Sequence, residues 1–248
     1  MGVIIFNGVS STDLHTLVQH PPEYTFPEKD YEAIHVPGRN GDIITDSGTW
    51  KNTERKYDLA IDARKISYTE IASSLVQWLH STSTYARLED SYEPDYYRMA
   101  VYKDTGSITN LYNKAGMIEV TFNCKPQRFL KSGEDKFIFA NTGVVGTSLP
   151  NGSNFRNPTG FIAKPKIVVH GSGSGEISIG KSKVSISDIV DGMIIDSEIR
   201  NVYLRDLNLN SKVSFDDFPV LLPGDENNTV IFTGGITSIE ITPRWWTL

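Results

Sequence analysis

Apolar and polar residues alternate along short stretches of this chain, a period of two that places every second side chain on one face of a β-strand. The clearest stretch is Lys56–Ala63, in which Tyr57, Leu59 and Ile61 share a face. Alternation or a short apolar run predicts further strands in the first half at Val3–Phe6, Asp30–Val36, Tyr85–Glu89, Tyr97–Tyr102 and Met117–Asn123. The first of these strands ends at an Asn-Gly pair, which predicts a tight turn.

One segment has helical periodicity instead. Ser67 and Glu70 match the capping-box pattern at the start of Tyr68–His80. Apolar residues then recur at helical spacing along one stripe, at Ile71, Leu75, Trp78 and Leu79. Burying four such side chains contributes about 6 to 12 kcal/mol before conformational entropy is counted. The pattern therefore predicts a scaffold helix that packs on a sheet.

The composition changes after Lys125-Pro126. Residues 141–160 are rich in Gly, Asn, Ser, Thr and Pro and predict a long polar loop. Short strands then follow at the spacing of a β-sandwich, at Lys166–His170, Glu176–Ile179, Lys183–Ile186, Met193–Asp196, Asn201–Leu204, Thr229–Phe232 and Ser238–Thr242. We therefore expect a mainly β protein with two domains, residues 1–130 and 131–248.

A turn-rich segment, Val36–Asp42, interrupts the first domain. Its proline stops a strand, and Asn40-Gly41 favours a left-handed two-residue turn. The residues after it, Ile43–Trp50, are predicted to leave the turn as an extended arm.

Charge and composition argue against several classes of protein, namely nucleic-acid-binding, membrane-spanning and secreted proteins. The net charge is −6 and no basic stripe is present, which argues against nucleic-acid binding as the main role. Apolar runs stay far below the ~18 to 20 residues of a membrane span, and Met1–Asn7 lacks the basic region of a secretory signal. Cys124 is the single cysteine, so the chain has no internal disulfide and synthesis in a cytoplasm is expected.

Motifs for cofactors and metals are weak. The five histidines (His15, His20, His35, His80 and His170) do not have metal-ligand spacing. Cys124 ends an alternating strand, where a buried cysteine is usually inert. The glycines of Gly171–Gly175 lie between two predicted strands, so a flexible hairpin is favoured there over a phosphate cradle. The segment Gly175–Ser182 has the letters of a phosphate-binding loop, but Glu176–Ile179 and Lys183–Ile186 have strand patterns, so nucleotide binding is not favoured. Neither a cofactor nor a metal is predicted.

Two further patterns leave alternatives open. Acidic residues cluster at Glu89-Asp90, Asp191, Asp196–Glu198, Asp216-Asp217 and Asp225-Glu226. A cell-wall hydrolase would need two of them facing across a cleft, but turn positions favour aspartate for local hydrogen bonds. Tyr92, Tyr96 and Tyr97 form a polar aromatic loop that suits a protein interface or a saccharide. The interface is the favoured interpretation of this loop.

Several weak motifs occur in one order along the whole length: Val36–Asp42, Phe122–Pro126, Asn157–Gly160 leading to Lys164–Gly171, Ile195–Glu198, Phe218-Pro219 with Pro223-Gly224, and Pro243–Trp246. Together they resemble the distal tail protein (Dit) family of siphophages that infect Gram-positive bacteria. The order of the motifs, rather than any one of them, carries the resemblance.

The resemblance implies an N-terminal β-sandwich-like domain with one helix and a protruding hairpin arm. It also implies a C-terminal galectin-like β-sandwich, whose final residues are candidates to pack back on the first domain. The galectin sugar-binding pattern is missing from this sequence, and 248 residues leave no room for the carbohydrate-binding insertions of some members.

The family's assembly implies a structural role at the tip of a phage tail, with no enzymatic activity. A homohexameric ring would leave a channel for DNA and join the tail tube protein to a tail-associated lysin or fibre-bearing protein, with receptor-binding or baseplate proteins attached outside. The inter-subunit arm would use Arg39, Asn40, Gly41, Asp42, Ile43, Ile44 and Trp50, and Tyr92, Tyr96 and Tyr97 would meet a partner. The alternative is a glycan-binding adhesin of the tail tip that contacts host cell-wall saccharide.

Overall fold

The computed structural model describes residues 1–103, 108–111, 114–141, 148–190, 192–224 and 228–248. Part of the predicted polar loop (residues 142–147), Asp191 and the Asp225-Glu226 pair lie outside the described residues. The chain forms two compact units, Met1–Arg128 with Leu248 and Phe129–Thr247.

The first unit is a sheet with a helix. Its elements are β1 (Ile4–Phe6), β2 (Val9–Ser10), a 3₁₀ turn (Ser11–Leu14), β3 (Thr16–Val18), β4 (Lys29–Ile34), β5 (Ile43–Trp50), β6 (Thr53–Asp62), α1 (Tyr68–Leu79), β7 (Ala86–Asp90), β8 (Tyr96–Tyr102), β9 (Ile108–Leu111) and β10 (Ala115–Leu130).

The strand order in this sheet is β2-β1-β7-β8-β10-β6-β3, and β9 pairs with β10. A bridge connects the start of β1 with β3 at the far end of this order, because Gly2, just before β1, exchanges two backbone hydrogen bonds of 2.9 and 2.8 Å with Val18 of β3. At the other side of β1 the predicted Asn7-Gly8 turn is confirmed, with φ of 50° and 80°. The bridge pairs part of the edge of β3, and unpaired strand edges favour aggregation.

Helix α1 confirms the predicted scaffold helix and is the one α-helix in the described part of the chain. Its stripe, Ile71, Leu75, Trp78 and Leu79, is buried against the sheet. Trp78 donates its Nε1 hydrogen to the Phe6 carbonyl oxygen at 3.0 Å, which fixes the helix to β1. The predicted capping box is wrong in one respect: Ser67 is the N-cap, but its side chain makes no capping hydrogen bond. Its carbonyl oxygen accepts hydrogen bonds from the amides of Glu70 and Ile71.

The second unit is built from strands and short 3₁₀ turns. Its elements are a 3₁₀ turn (Lys131–Glu134), β11 (Phe137–Ala140), β12 (Leu149–Pro150), β13 (Lys166–Ile179), β14 (Ser182–Ile189), β15 (Met193–Asp196), β16 (Asn201–Leu204), β17 (Leu207–Asn208), a 3₁₀ turn (Asn210–Lys212), β18 (Val213–Ser214), β19 (Val230–Thr242) and β20 (Trp246–Thr247).

Its strand order is β12-β11-β19-β13-β15-β16-β17, with β14 pairing with both β13 and β18. The inward residues of β13, β14 and β19 form one aliphatic and aromatic core. The predicted strand patterns around Gly175–Ser182 are confirmed: this segment ends β13 and begins β14, which pair with each other, and it does not wrap a phosphate loop before a helix.

Two strand predictions in this unit were wrong. Lys166–His170 and Glu176–Ile179 are one strand, β13, and Thr229–Phe232 and Ser238–Thr242 belong to one strand, β19. The predicted glycine hairpin at residues 171–175 is instead a stretch of shifted register against β19. A Cβ on Gly235 would overlap the Ser172 carbonyl oxygen, so glycine here permits close contact between two backbones.

The two tryptophans near the end differ in their surroundings. Trp245 is buried in the core of this unit, with its ring 5.3 Å from that of Phe155. Trp246 is half-buried, stacks on Phe161 at 4.5 Å and donates its Nε1 hydrogen to the Ile162 carbonyl oxygen. Of the two rings, Trp245 therefore contributes more to the core.

Candidate assembly site

The hairpin of β4 and β5 is a separate two-stranded sheet. Its register runs from Lys29 opposite Trp50 to Ile34 opposite Ile43, with one shift between Asp30 and Tyr31. None of residues 29–50 is buried within the chain. The predicted arm thus exists as an exposed hairpin, and its first strand begins before the predicted Val36–Trp50 segment.

The tip of the hairpin differs from the predicted two-residue turn. Residues 35–42 connect the strands, and the left-handed positions are Gly38 (φ 84°) and Gly41 (φ 80°). Asn40 does not have a positive φ, so Asn40-Gly41 is not the left-handed pair that a two-residue turn requires. Arg39 and Asn40 lie at the tip, and Asp42 lies at its base with Oδ1 3.1 Å from Nδ1 of His35. The connection is longer because strand pairing already ends at Ile34.

Large apolar side chains are exposed on this hairpin. Tyr31, Ile34, Ile43 and Ile44 have between 40% and 59% of their surface exposed. An isolated two-stranded hairpin is marginally stable in water, and clustered exposed apolar residues mark interaction surfaces. The hairpin is therefore a candidate interaction surface.

The hairpin carries its own ionic contacts. Lys29 pairs with Asp46, and the hydrogen bond from this lysine, with one from the Gly48 amide, lowers the pKa of the Asp46 carboxyl. Lys29 also lies 5.9 Å from the ring centre of Trp50. Both charged groups are solvent-exposed, so these contacts orient the strands more than they stabilise them.

The predicted aromatic loop contains a buried ionic cluster. Glu93 accepts hydrogen bonds from Arg55 (3.0 Å), Arg98 and Arg128 (2.7 Å). Asp90, at the end of β7, accepts from Arg55 at 3.0 Å and from the Tyr57 hydroxyl at 2.8 Å. We call these six residues the arginine cluster: Arg55, Tyr57, Asp90, Glu93, Arg98 and Arg128.

Burial and charge oppose each other in this cluster. Burial alone would raise the pKa of Glu93, but the hydrogen bond and charge of Arg98, together with Arg55 and Arg128, hold it below its usual 4.5. Burial and the Asp90 charge raise the pKa of the Tyr57 hydroxyl well above its usual value. At neutral pH Glu93 is therefore ionised and Tyr57 is a hydrogen-bond donor.

The three tyrosines of the loop lie against different partners. Tyr92 is partly buried against the core and covers Gly2, because a Cβ there would overlap its ring. Tyr96 lies 4.9 Å from the Arg128 guanidinium, and Tyr97 lies 3.9 Å from that of Arg87. Arginines of the same chain thus occupy ring faces that a saccharide would stack on.

The arginines of this cluster were not singled out from the sequence. The carboxylate partners of Arg55 and Arg128 in the cluster are 35 or more residues distant in the chain. One signal was present: Arg55 falls on the same alternate face as Tyr57 and Leu59, where a charged residue needs a buried partner. The identity of that partner depends on the tertiary fold.

The remaining candidates for chemistry are the single cysteine, the acidic residues and the possible metal ligands. Burial raises the pKa of the Cys124 thiol to about 12, so its reactive thiolate is scarce. Asp196 is buried, and although burial opposes it, the hydrogen bond from Arg244 lowers its pKa, the opposite of what a general acid needs. Among described residues, no three His, Cys, Asp or Glu side chains group as a metal site, and no helix is long and apolar enough for a bilayer.

These observations define a mainly β, two-unit protein with a projecting hairpin, which is the fold of phage distal tail (Dit) proteins. The chain is similar to a solved structure titled "Crystal Structure of SPP1 Dit (gp 19.1) Protein, a Paradigm of Hub Adsorption Apparatus in Gram-positive Infecting Phages". The TM-score is 0.73 over 100% of both chains, at 14% sequence identity. The resemblance inferred from sequence is therefore confirmed at the level of the fold. No protein-family model and no curated protein matches the chain.

Proposed function

We propose that this protein is a structural hub at the distal end of a phage tail. Six copies form a ring that joins the tail tube to the tail tip and leaves a channel for DNA. The proposal is carried by the full-length agreement of the fold with the SPP1 Dit protein, which is described as a hub of an adsorption apparatus. The protein would then reside in the virion.

The hairpin supports a ring in particular. A surface that binds a different surface on an identical copy makes a heterologous contact, which closes into a ring when the rotation allows it. The hairpin residues 29–50 have no buried member within their own chain, so they offer one half of such a contact. The predicted arm residues, Arg39–Ile44 and Trp50, would lie at or near it.

Partners in the tail are part of the same proposal. The tail tube protein and a tail-associated lysin or fibre-bearing protein would bind the two faces of the ring. Receptor-binding or baseplate proteins would attach through the second unit, for which a galectin-like sandwich is proposed. Tyr92, Tyr96 and Tyr97 are proposed as a partner-binding loop that the arginine cluster holds in place.

The proposal is tested by the mass of the purified protein in light scattering after size exclusion. The expected species has six times the chain mass of 27.6 kDa. Lys29 and Trp50 are cross-strand partners, so residues 30–49 can be replaced by a short Asn-Gly link without disturbing the core. This arm-excised variant is expected to be a folded monomer.

The matched control replaces an exposed apolar residue of the second unit, Ile231→Ser, and should leave the ring intact. A ring that persists after arm excision would contradict the role of the hairpin. A wild-type monomer under all conditions, including added tail tube protein, would contradict the hub itself. The saccharide alternative gains no support from the aromatic loop, because arginines pack on the Tyr96 and Tyr97 rings.

A further inference from the structure

An open groove lies on the first unit where β3, β6 and β10 pair. Its volume is about 560 Å³. The outward residues of β6 are charged at Glu54, Lys56 and Asp58, but the row then changes to Ala60. Leu17 lies opposite Ala60, and Ala115 lies opposite Asp62, so short or apolar side chains form the floor. The small size of the alanines creates the depth of the groove.

The rim of the groove has an excess of positive charge. Arg64 donates to both oxygens of Asp62, at 2.8 and 2.7 Å, so these two charges compensate each other. Lys114 makes no ion pair with any other residue the structure describes. His15 lines the same rim and contributes to lowering the Asp62 pKa, after the larger effect of Arg64. An occupant of this groove should therefore combine apolar side chains with a carboxylate.

One face of the hairpin has that combination. Cross-strand partners share a face, which places Glu32, Ile34 and Ile43 together, while Tyr31 and Ile44 lie on the opposite face. Glu32 makes no ion pair within the described part of the chain. The hairpin as a whole has four carboxylates against two cations, namely Asp30, Glu32, Asp42 and Asp46 against Lys29 and Arg39. Its charge is thus opposite to that of the groove.

We infer that the groove binds the Glu32–Ile34–Ile43 face of the hairpin of a second copy of this chain. Ile34 and Ile43 lie on the floor beside Leu17 and Ala60, and Glu32 pairs with Lys114. This inference rests on the proposed ring and identifies the surface that receives the arm. It explains why two exposed apolar features occur on one unit: each one covers the other in the neighbouring copy.

The test is photocrosslinking of the full-length protein with benzoylphenylalanine at Ile43. Chains with and without ¹⁵N label are mixed, so that mass spectrometry separates crosslinks between copies from those within one copy. Crosslinks between copies are expected at residues 12–17, 60–64 and 114–115. The matched control places the photoprobe at Ile44, on the other face of the hairpin, and should give few crosslinks to these segments.

Charge exchange gives a second measurement. Lys114→Glu is expected to raise the protein concentration needed for half-assembly about tenfold, as for a charge pair at an interface. Combining it with Glu32→Lys should restore assembly, whereas combining it with Arg39→Glu should not. Rings that crosslink from Ile43 to another surface, or that do not respond to Lys114→Glu, contradict this docking alone. A chain that forms no contacts between copies contradicts the docking and the proposed ring together.

Discussion

At the scale of single residues, the arginine cluster is the feature most sensitive to change. Side chains of Arg55 and Asp90 are 5% and 1% exposed. Two charges at such depth are tolerated only because each one has ionic and hydrogen-bonding partners. Asp90 also accepts from the Tyr92 and Glu93 amides and so shapes the start of the aromatic loop. The cluster therefore links the core of the first unit to a candidate partner-binding loop.

Asp90→Ala is expected to lower the free energy of unfolding by about 3 to 5 kcal/mol, because it removes one partner of a buried pair and leaves Arg55 undercompensated. Urea titration measures the change. The control is Arg200→Ala, which breaks an ion pair with Asp217 that is exposed on both sides and should cost less than about 1 kcal/mol. Equal losses in the free energy of unfolding for the two variants would show that the buried cluster stabilises the fold no more than an exposed ion pair does.

The same residues predict how stability depends on acidity. Arginines lower the pKa of Glu93 and of Asp196 below their usual 4.5 and 3.8, against the effect of burial. A carboxyl with a lowered folded-state pKa stabilises the fold above its unfolded value, and that contribution is lost as the pH falls through the folded value. Stability should therefore fall with acidification below the usual values of the two groups.

The check is the urea midpoint measured across this acidic range. Glu93→Gln with Asp196→Asn should lower the midpoint at neutral pH and flatten its acid dependence, since neither side chain can then gain a proton. Unchanged acid dependence in the double variant would assign the effect to other carboxylates. The slope of the urea midpoint against pH decides whether Glu93 and Asp196 or other carboxylates cause the acid dependence; the absolute stability does not.

At the scale of elements, the glycines that join β13 to β19 determine how closely the strands approach. Gly235→Ala would place a methyl group against the Ser172 carbonyl oxygen, and overpacking of this kind costs about 1 to 3 kcal/mol or more. The matched control is Gly173→Ala. A Cβ at Gly173 would meet open space, but the residue has a φ of 77°. This substitution therefore costs only the strain of the left-handed conformation, about 1 to 2 kcal/mol.

Urea titration of both variants measures these costs. Gly235→Ala should be the less stable of the two and should broaden or shift amide resonances of β13 and β19. If Gly173→Ala were equally destabilising with the same spectral changes, local strain rather than contact between backbones would explain the glycines.

The periodicity of the sequence predicted those elements that depend on local order. Helix α1 and the inward face of β6 were found because each one buries a regularly spaced stripe. The merged strands β13 and β19 were split in the prediction, since glycine usually ends a strand and its role here depends on a second strand that is distant in sequence. The role of Arg55 was likewise not predictable from local sequence, because its carboxylate partners lie at the start of a loop that only tertiary folding brings near.

The candidate site was predicted in part. The turn-rich segment before Ile43 indicated an arm, and the hairpin is present and exposed. Its tip was wrong in detail because the Asn-Gly signal describes a two-residue turn, whereas pairing stops at Ile34. The groove had no sequence signal, because Leu17, Ala60 and Ala115 come from three strands and become neighbours only in the sheet.

At the scale of the whole molecule, the proposed ring makes a prediction about mixtures. The arm-excised variant retains the groove, and a variant with Ala60→Arg retains the arm but has an obstructed groove. Each one alone should be monomeric. Mixed together, they should form dimers with one copy of each and nothing larger, because only one hairpin and one groove remain able to bind.

Native mass spectrometry distinguishes these species directly. The control mixes two chains that both carry Ala60→Arg, which should remain monomers. If the mixture of different variants also stays monomeric while wild-type chains form rings, the receiving surface lies elsewhere. If the Ala60→Arg chain alone forms rings, the groove is not needed for assembly.

The hairpin makes no contribution to the core of its own chain, since none of residues 29–50 is buried. Its sequence can therefore diverge without affecting the folding of the subunit that carries it, provided that the receiving surface changes with it. Under the proposed function, two related phages replicating in one cell could in this way keep their subunits from mixing. Exchanging hairpin and groove together would give engineered rings that sort by arm type.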